Sequence, residues 1–178
     1  GCSKKDEKEN KMDFETLMGR NFPAWKHVQT AEDFENLNFF KNVYEKNIPF
    51  LQAGSSMLHV PKVLHFIWIG PKPFPRESVE NVRSWVAKHP DWTIKFWTDR
   101  ERPLPHKQMV LAHVQDLKFL HLYDCYKKSD NYAEKSDLLR YEILYQEGGI
   151  YIDHDVKCFQ SFEPFCKAYD FYCGMEMP

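Results

Sequence analysis

The stretch KSDLLRYEILYQEGGIYIDHDV, from Lys135 to Val156, decides how the chain is read. Leu138, Leu139, Tyr141, Ile143, Leu144 and Tyr145 recur at i, i+3, i+4 and i+7, which predicts a helix that Ser136 caps, with Asp137 in its first turn. Gly148 and Gly149 tolerate the left-handed backbone on which helices end, so they stop it. Ile150, Tyr151 and Ile152 then form a short run of β-branched and aromatic residues, read as a buried strand that ends in Asp153-His154-Asp155. Along an extended chain alternate side chains share a face, so Asp153 and Asp155 are expected to project together from a strand's carboxyl end. Open α/β sheets bind ligands at that end. Two neighbouring carboxylates repel unless a cation neutralises them, and hard oxygen donors suit Mg²⁺ or Mn²⁺. A metal held by so few protein groups keeps positions open for a diphosphate.

The words S-D-x-x-R-Y, L-Y-x-x-G-G-x-Y and D-x-D stand in order as Ser136-Asp137, Arg140-Tyr141, Leu144-Tyr145, Gly148-Gly149, Tyr151, and Asp153 with Asp155. A second block, Pro61-Lys-Val-Leu-His-Phe-Ile-Trp-Ile-Gly70, lies upstream. Together these resemble the glycosyltransferases with a DXD-containing sugar-binding region, a family that includes retaining α-mannosyltransferases and, more distantly, the large glucosylating bacterial toxins. The resemblance runs from Pro61 to the end of the chain. It implies a GT-A-like, Rossmann-related domain that takes a nucleoside diphosphate sugar with Mn²⁺ or Mg²⁺ and passes the sugar to a glycan, lipid or protein acceptor, with retention. By the same resemblance Asp155 is the direct metal ligand, and Asp153 faces the ribose or sugar and meets the metal through water. These two aspartates are the catalytic pair. Asp137 and Arg140 hold donor-sugar hydroxyls, Trp68 stacks on the base, and Tyr151 lines the donor pocket. From spacing alone, Asp137 and Arg140 are also a simple i, i+3 ion pair, Trp68 is also a core residue, and His154 is solvent-facing filler.

Upstream, Val63 to Ile69 is an apolar run broken only by His65, as a parallel strand buried on both faces requires. His65 reads as a hydrogen-bonded core histidine. Val79, Val82, Trp85 and Val86 predict a helix from Ser78 to Lys88, and Thr93–Trp97 a second strand with Asp99 just beyond its carboxyl end, to cap or orient. Residues 100–129 fit strand and helix equally. Asp170 to Met175 reads as a last strand.

Residues 1–12 are almost devoid of apolar side chains and are read as a disordered tether. Residues 13–58 are a helical extension and linker, in which Thr30 to Asp33 is a capping box and Ile48 to Leu58 the linker proper. Residues 59–178 are the catalytic domain, incomplete at its C-terminus relative to the family, so that the chain is a fragment or has impaired turnover.

A formal charge of -2 gives no basic field for nucleic acid. No apolar run reaches the length of a membrane span. Five cysteines without C-x-x-C spacing argue against a zinc site and a full disulfide framework, while leaving one bridge open among Cys158, Cys166 and Cys173. Gly1-Cys2-Ser3 looks like the mature start of a bacterial lipoprotein anchored through Cys2, and equally like an arbitrary fragment start, in which case the protein is soluble.

Two rival classes use the same acidic pair. A phosphatase of the haloacid dehalogenase type makes the first Asp a nucleophile, but wants Thr or Val two residues after the second Asp, where Lys157 stands. A non-catalytic nucleotide-sugar-binding module keeps the donor site and lacks turnover.

Overall fold

The computed structural model describes residues 13–54 and 56–174. Its centre is a four-stranded sheet in the order β3-β2-β1-β4, with β1 Val63–Ile67, β2 Thr93–Thr98, β3 Val110–His113 and β4 Ile150–Tyr151. Every pairing is parallel, with Leu64 opposite both Ile94 and Ile150, and Phe96 opposite Leu111. The mainly parallel α/β architecture expected from the sequence is therefore present.

Helix α3 (Arg76–Lys88) joins β1 to β2. After β3 come a 3₁₀ turn (Val114–Asp116), α4 (Tyr123–Lys128) and α5 (Tyr132–Glu147), and the chain then crosses back to lay β4 on the other side of β1. Right-handed crossovers that travel in opposite directions put their helices on opposite faces of the sheet. On the α5 face Leu139 and Ile143 are fully buried with Ile67, Ile69, Trp97 and Val114, and Tyr151 packs at the margin of this cluster. The reversal of strand order falls between β1 and β4, which makes the crevice at their carboxyl ends the ligand-binding position of such a sheet.

The junction of α5 and β4 explains the glycine pair. Gly148 caps α5 at φ +66°, its amide donating to the Leu144 carbonyl at 2.9 Å. At Gly149 (φ +87°) a Cβ would stand 2.5 Å from the Val63 carbonyl oxygen, so the chain passes β1 at a distance that only glycine permits. His65 sits beside this crossing, wholly buried, with Nε2 2.9 Å from the Gly148 carbonyl oxygen and Nδ1 accepting from the Trp97 indole at 3.1 Å. Two opposed partners fix its tautomer, and burial holds its imidazole below the usual value. It is the core histidine that the sequence suggests.

Several boundaries differ from the sequence reading. Helix α5 starts five residues before Asp137, capped by Asn131, whose side chain accepts from the Ala133 and Glu134 amides; Ser136 lies inside the helix. Asn is as good a cap as Ser, and tertiary packing rather than capping strength selects between them. Residues 100–129 prove to be mixed, a strand followed by helical turns. The expected last strand does not form among Asp170–Gly174, and Met175 lies outside the described residues; α6 (Glu163–Ala168) precedes this segment. Cys158 and Cys173 carry unpaired thiols, so the bridge left open among Cys158, Cys166 and Cys173 is not made.

The described residues divide into two compact units, one running to Ala53 and taking in 172–174, the other spanning Gly54–Phe171. The first contains α1 (Phe14–Leu17), a 3₁₀ turn (Pro23–His27) and α2 (Ala31–Ala53). The capping box is present: the Asp33 amide donates to the Thr30 hydroxyl at 3.1 Å and the Thr30 amide to the Asp33 carboxylate at 2.8 Å. Helix α2 runs through Pro49 to Ala53, where a linker was expected. One proline removes one backbone donor and need not end a long helix. Residues 1–12, with Cys2, lie outside the described residues.

Candidate functional site

Beyond β4 the chain turns at once. The Ile152 amide still donates to the His65 carbonyl at 3.0 Å, and the Val156 amide then reaches back to the Asp153 carbonyl at 3.2 Å. Asp153-His154-Asp155-Val156 is thus a turn and not an extended strand, so period-two alternation does not carry the two carboxylates here. Both aspartates are exposed, Asp153 at the first corner and Asp155 at the third.

Tyr151, Asp153, Arg140 and Asp137, all singled out in the sequence, form one connected group. Burial first, then the neighbouring Asp153 charge, push the Tyr151 phenol far above its usual value. The Arg140 guanidinium lies 5.6 Å from the Tyr151 ring centroid and 5.1 Å from that of Tyr141. Arg140 also pairs with Asp137 at 3.4 Å, and its Nε is buried without a hydrogen-bond partner. The i, i+3 ion pair is therefore real, and it occurs beside the acidic turn.

Trp68 and Asp155 are linked to this group through His154, which is not the solvent-facing filler the sequence suggested. Its ring packs edge-on against Trp68, centroids 5.0 Å apart, and its Nδ1 lies 2.7 Å from the hydroxyl of the buried Ser78. The Asn81 amide donates to the His154 carbonyl at 3.2 Å, the Trp85 indole to the Val156 carbonyl at 2.8 Å, and the Cys158 amide to the Ser84 hydroxyl at 2.8 Å. One face of α3 therefore dictates the path of the chain from 154 to 158. The signal in the sequence was the polar series Ser78, Asn81, Ser84 at three-residue spacing among the apolar positions of that helix.

A second feature was invisible in the sequence. After β1, the loop Ile69–Lys72 is clamped from the end of β2. The Gly70 amide donates to both Asp99 oxygens at 3.1 Å, and the Arg100 side chain meets the same carboxylate through two contacts of 3.1 Å. Burial would raise the Asp99 carboxyl, but the Arg100 guanidinium and the Gly70 amide outweigh it and hold the group below its usual value. Arg102 donates to the Gly70 carbonyl at 2.5 Å and to the Lys72 carbonyl at 3.0 Å. Asp99 thus orients a loop, one of the two roles expected for it.

Hard oxygen donors are available for a divalent cation. An ionised carboxylate offers about four acceptor positions. Among the described residues no three His, Cys, Asp or Glu side chains form a ready-made cage. A cation at this turn would therefore take at most the Asp153 and Asp155 carboxylates from it, and its remaining oxygens from a diphosphate and water.

The parallel sheet thus carries an acidic D-x-D turn after β4 and an indole after β1, with a guanidinium against Tyr151 of β4. Residues 75–172 match the glycosyltransferase sugar-binding region containing DXD motif, and the chain belongs to that family. It is 32% identical over 123 residues to inositol phosphoceramide mannosyltransferase 3 of Schizosaccharomyces pombe, a match covering 69% of this chain and 31% of that protein. It is 31% identical over 133 residues to subversion of eukaryotic traffic protein A of Legionella pneumophila, covering 66% of this chain and 20% of that one. Among solved structures, PaToxG glycosyltransferase superposes on 65% of this chain and 49% of its own at 20% identity and a TM-score of 0.42. The chain spans about a fifth to a third of the length of these curated relatives.

Proposed function

We propose that the domain binds a nucleoside diphosphate sugar together with Mn²⁺ or Mg²⁺ and transfers the sugar to an acceptor with retention of configuration. The observation that carries this reading is the contact of His154 with Trp68, which joins the acidic turn after β4 to the indole after β1 across the reversal of strand order. A ligand with a flat base at one end and a charged diphosphate at the other fits that pairing. Membership of the DXD family and relatives named as mannosyltransferases support it further, and make a mannosyl donor the first to try.

Asp153 and Asp155 hold the cation, which when bound neutralises charge on the departing diphosphate. Tyr151, whose phenol is kept protonated by burial and the Asp153 charge, offers a hydrogen-bond donor beside Asp153. Arg140, backed by Tyr141 and Tyr151, and Asp137 offer a donor fork and a carboxylate acceptor to sugar hydroxyls. Trp68 supplies the stacking face. These groups bind, orient and neutralise, and positioning of this kind is a sufficient source of acceleration for transfer from a good leaving group. The acceptor is a glycan, lipid or protein.

The test is calorimetry with UDP and GDP sugars, with and without Mn²⁺, followed by donor hydrolysis. Asp155→Ala is expected to abolish metal-dependent binding and hydrolysis, and near-normal hydrolysis by that variant refutes the assignment. Tight metal-dependent binding with no turnover for any donor identifies a binding module instead.

A further inference from the structure

Trp68 must hold one orientation to present a face to a base, yet it stands at the start of a loop, beyond the last paired residue of β1. Its indole N–H donates to the Lys72 carbonyl at 2.8 Å, so the ring is tied to the far end of that loop. The loop itself needs an external hold, because Gly70 adopts φ +90° and packs so closely on the Tyr132 ring that a Cβ would come within 2.9 Å of it.

We propose that Arg102, working with Asp99, is a positioning residue that fixes the Trp68 ring by clamping this loop, without itself touching the ligand. One guanidinium nitrogen donates to the very carbonyl, Lys72, that receives the Trp68 indole, and the other donates to Gly70. Asp99 closes the clamp by accepting the Gly70 amide with both oxygens, and lies 3.6 Å from Arg102. The Arg102 side chain is only 8% exposed, which removes it from reach of a base in the crevice while leaving its hold on the loop intact. Its Nε is buried without a partner, so the chain keeps a costly guanidinium here for the two carbonyls it bridges. A planar fork can span two carbonyls at fixed separation, and an ammonium of the same charge cannot. Arg102→Lys therefore separates geometry from charge.

This inference rests on the reading of Trp68 as the base platform, and the experiment keeps the two apart. UDP and GDP, each with Mn²⁺, are titrated into the full chain, Arg102→Lys, Trp68→Phe and the double variant, with thermal melts to confirm folding; Asp99→Asn serves as the milder second variant. In parallel, the Trp68 fluorescence is isolated as the difference between each protein and its Trp68→Phe counterpart, and its quenching by acrylamide is measured. Arg102→Lys is expected to weaken nucleotide binding about tenfold and to raise quenching of Trp68, while adding nothing in the Trp68→Phe background, as coupling through one contact requires. Additive losses, or a Trp68 difference signal unchanged in both Arg102→Lys and Asp99→Asn, overturn the proposal. If Trp68→Phe leaves nucleotide affinity intact, the base-platform reading fails, and the quenching comparison alone still decides whether Arg102 holds the ring.

Discussion

Replacing Gly149 by alanine tests the crossing of α5 into β4, on which the position of the acidic turn depends. Two costs follow from the geometry. A non-glycine residue in the left-handed region loses about 1–2 kcal/mol, and Gly149 has φ +87°. The added methyl would also lie 2.5 Å from the Val63 carbonyl oxygen and 3.0 Å from the Val63 Cβ, both on the central strand, where neither atom can swing aside. Overpacking against such a wall costs about 1–3 kcal/mol. The sum, about 2–5 kcal/mol, corresponds to a fall in Tm of roughly 4–20 °C for a domain of this size. Gly54→Ala is the control: its φ is +67°, but nothing lies within 4 Å of the added methyl, so only the backbone cost applies. Melting followed by circular dichroism should rank wild type above Gly54→Ala and that variant well above Gly149→Ala. Equal melting of the two alanine variants would show that the approach to Val63 is not what demands glycine.

Further predictions concern buried polar groups. Glu142, buried on α5, accepts the Leu120 and His121 amides; Glu142→Leu leaves both donors unpaired and should cost about 2–4 kcal/mol in urea unfolding. Glu142→Gln retains an acceptor oxygen and should cost distinctly less. Burial holds the His65 and His89 imidazoles below their ordinary value of 6.5. The unfolded chain therefore takes up their protons first, so their contribution is fully present above about pH 6.5 and is lost as pH falls through the depressed folded values. A Tm that falls between pH 7 and pH 5, with a shallower slope in His65→Gln, is expected; a flat profile contradicts the burial argument.

Much of this protein is set by local chemistry that a linear sequence displays. The apolar run of β1, broken only by His65, marks a strand buried on both faces, the double glycine marks the end of a helix, and Thr30 with Asp33 marks the start of one, because each reports a backbone or solvation requirement satisfied within a few residues. Asp137, Arg140 and Tyr151 fall close together for the same reason, since one helix, one glycine pair and one short strand carry them. What the sequence could not supply is anything closed over long separations. The acidic turn owes its path to Ser78, Asn81 and Ser84 on α3, more than seventy residues earlier in the case of His154 and Cys158. The loop of Trp68 is held by Arg102, thirty residues from the Lys72 carbonyl it grips. Such hydrogen bonds leave no periodicity, because their partners meet only after the sheet has brought the carboxyl ends of β1, β2 and β4 to one edge.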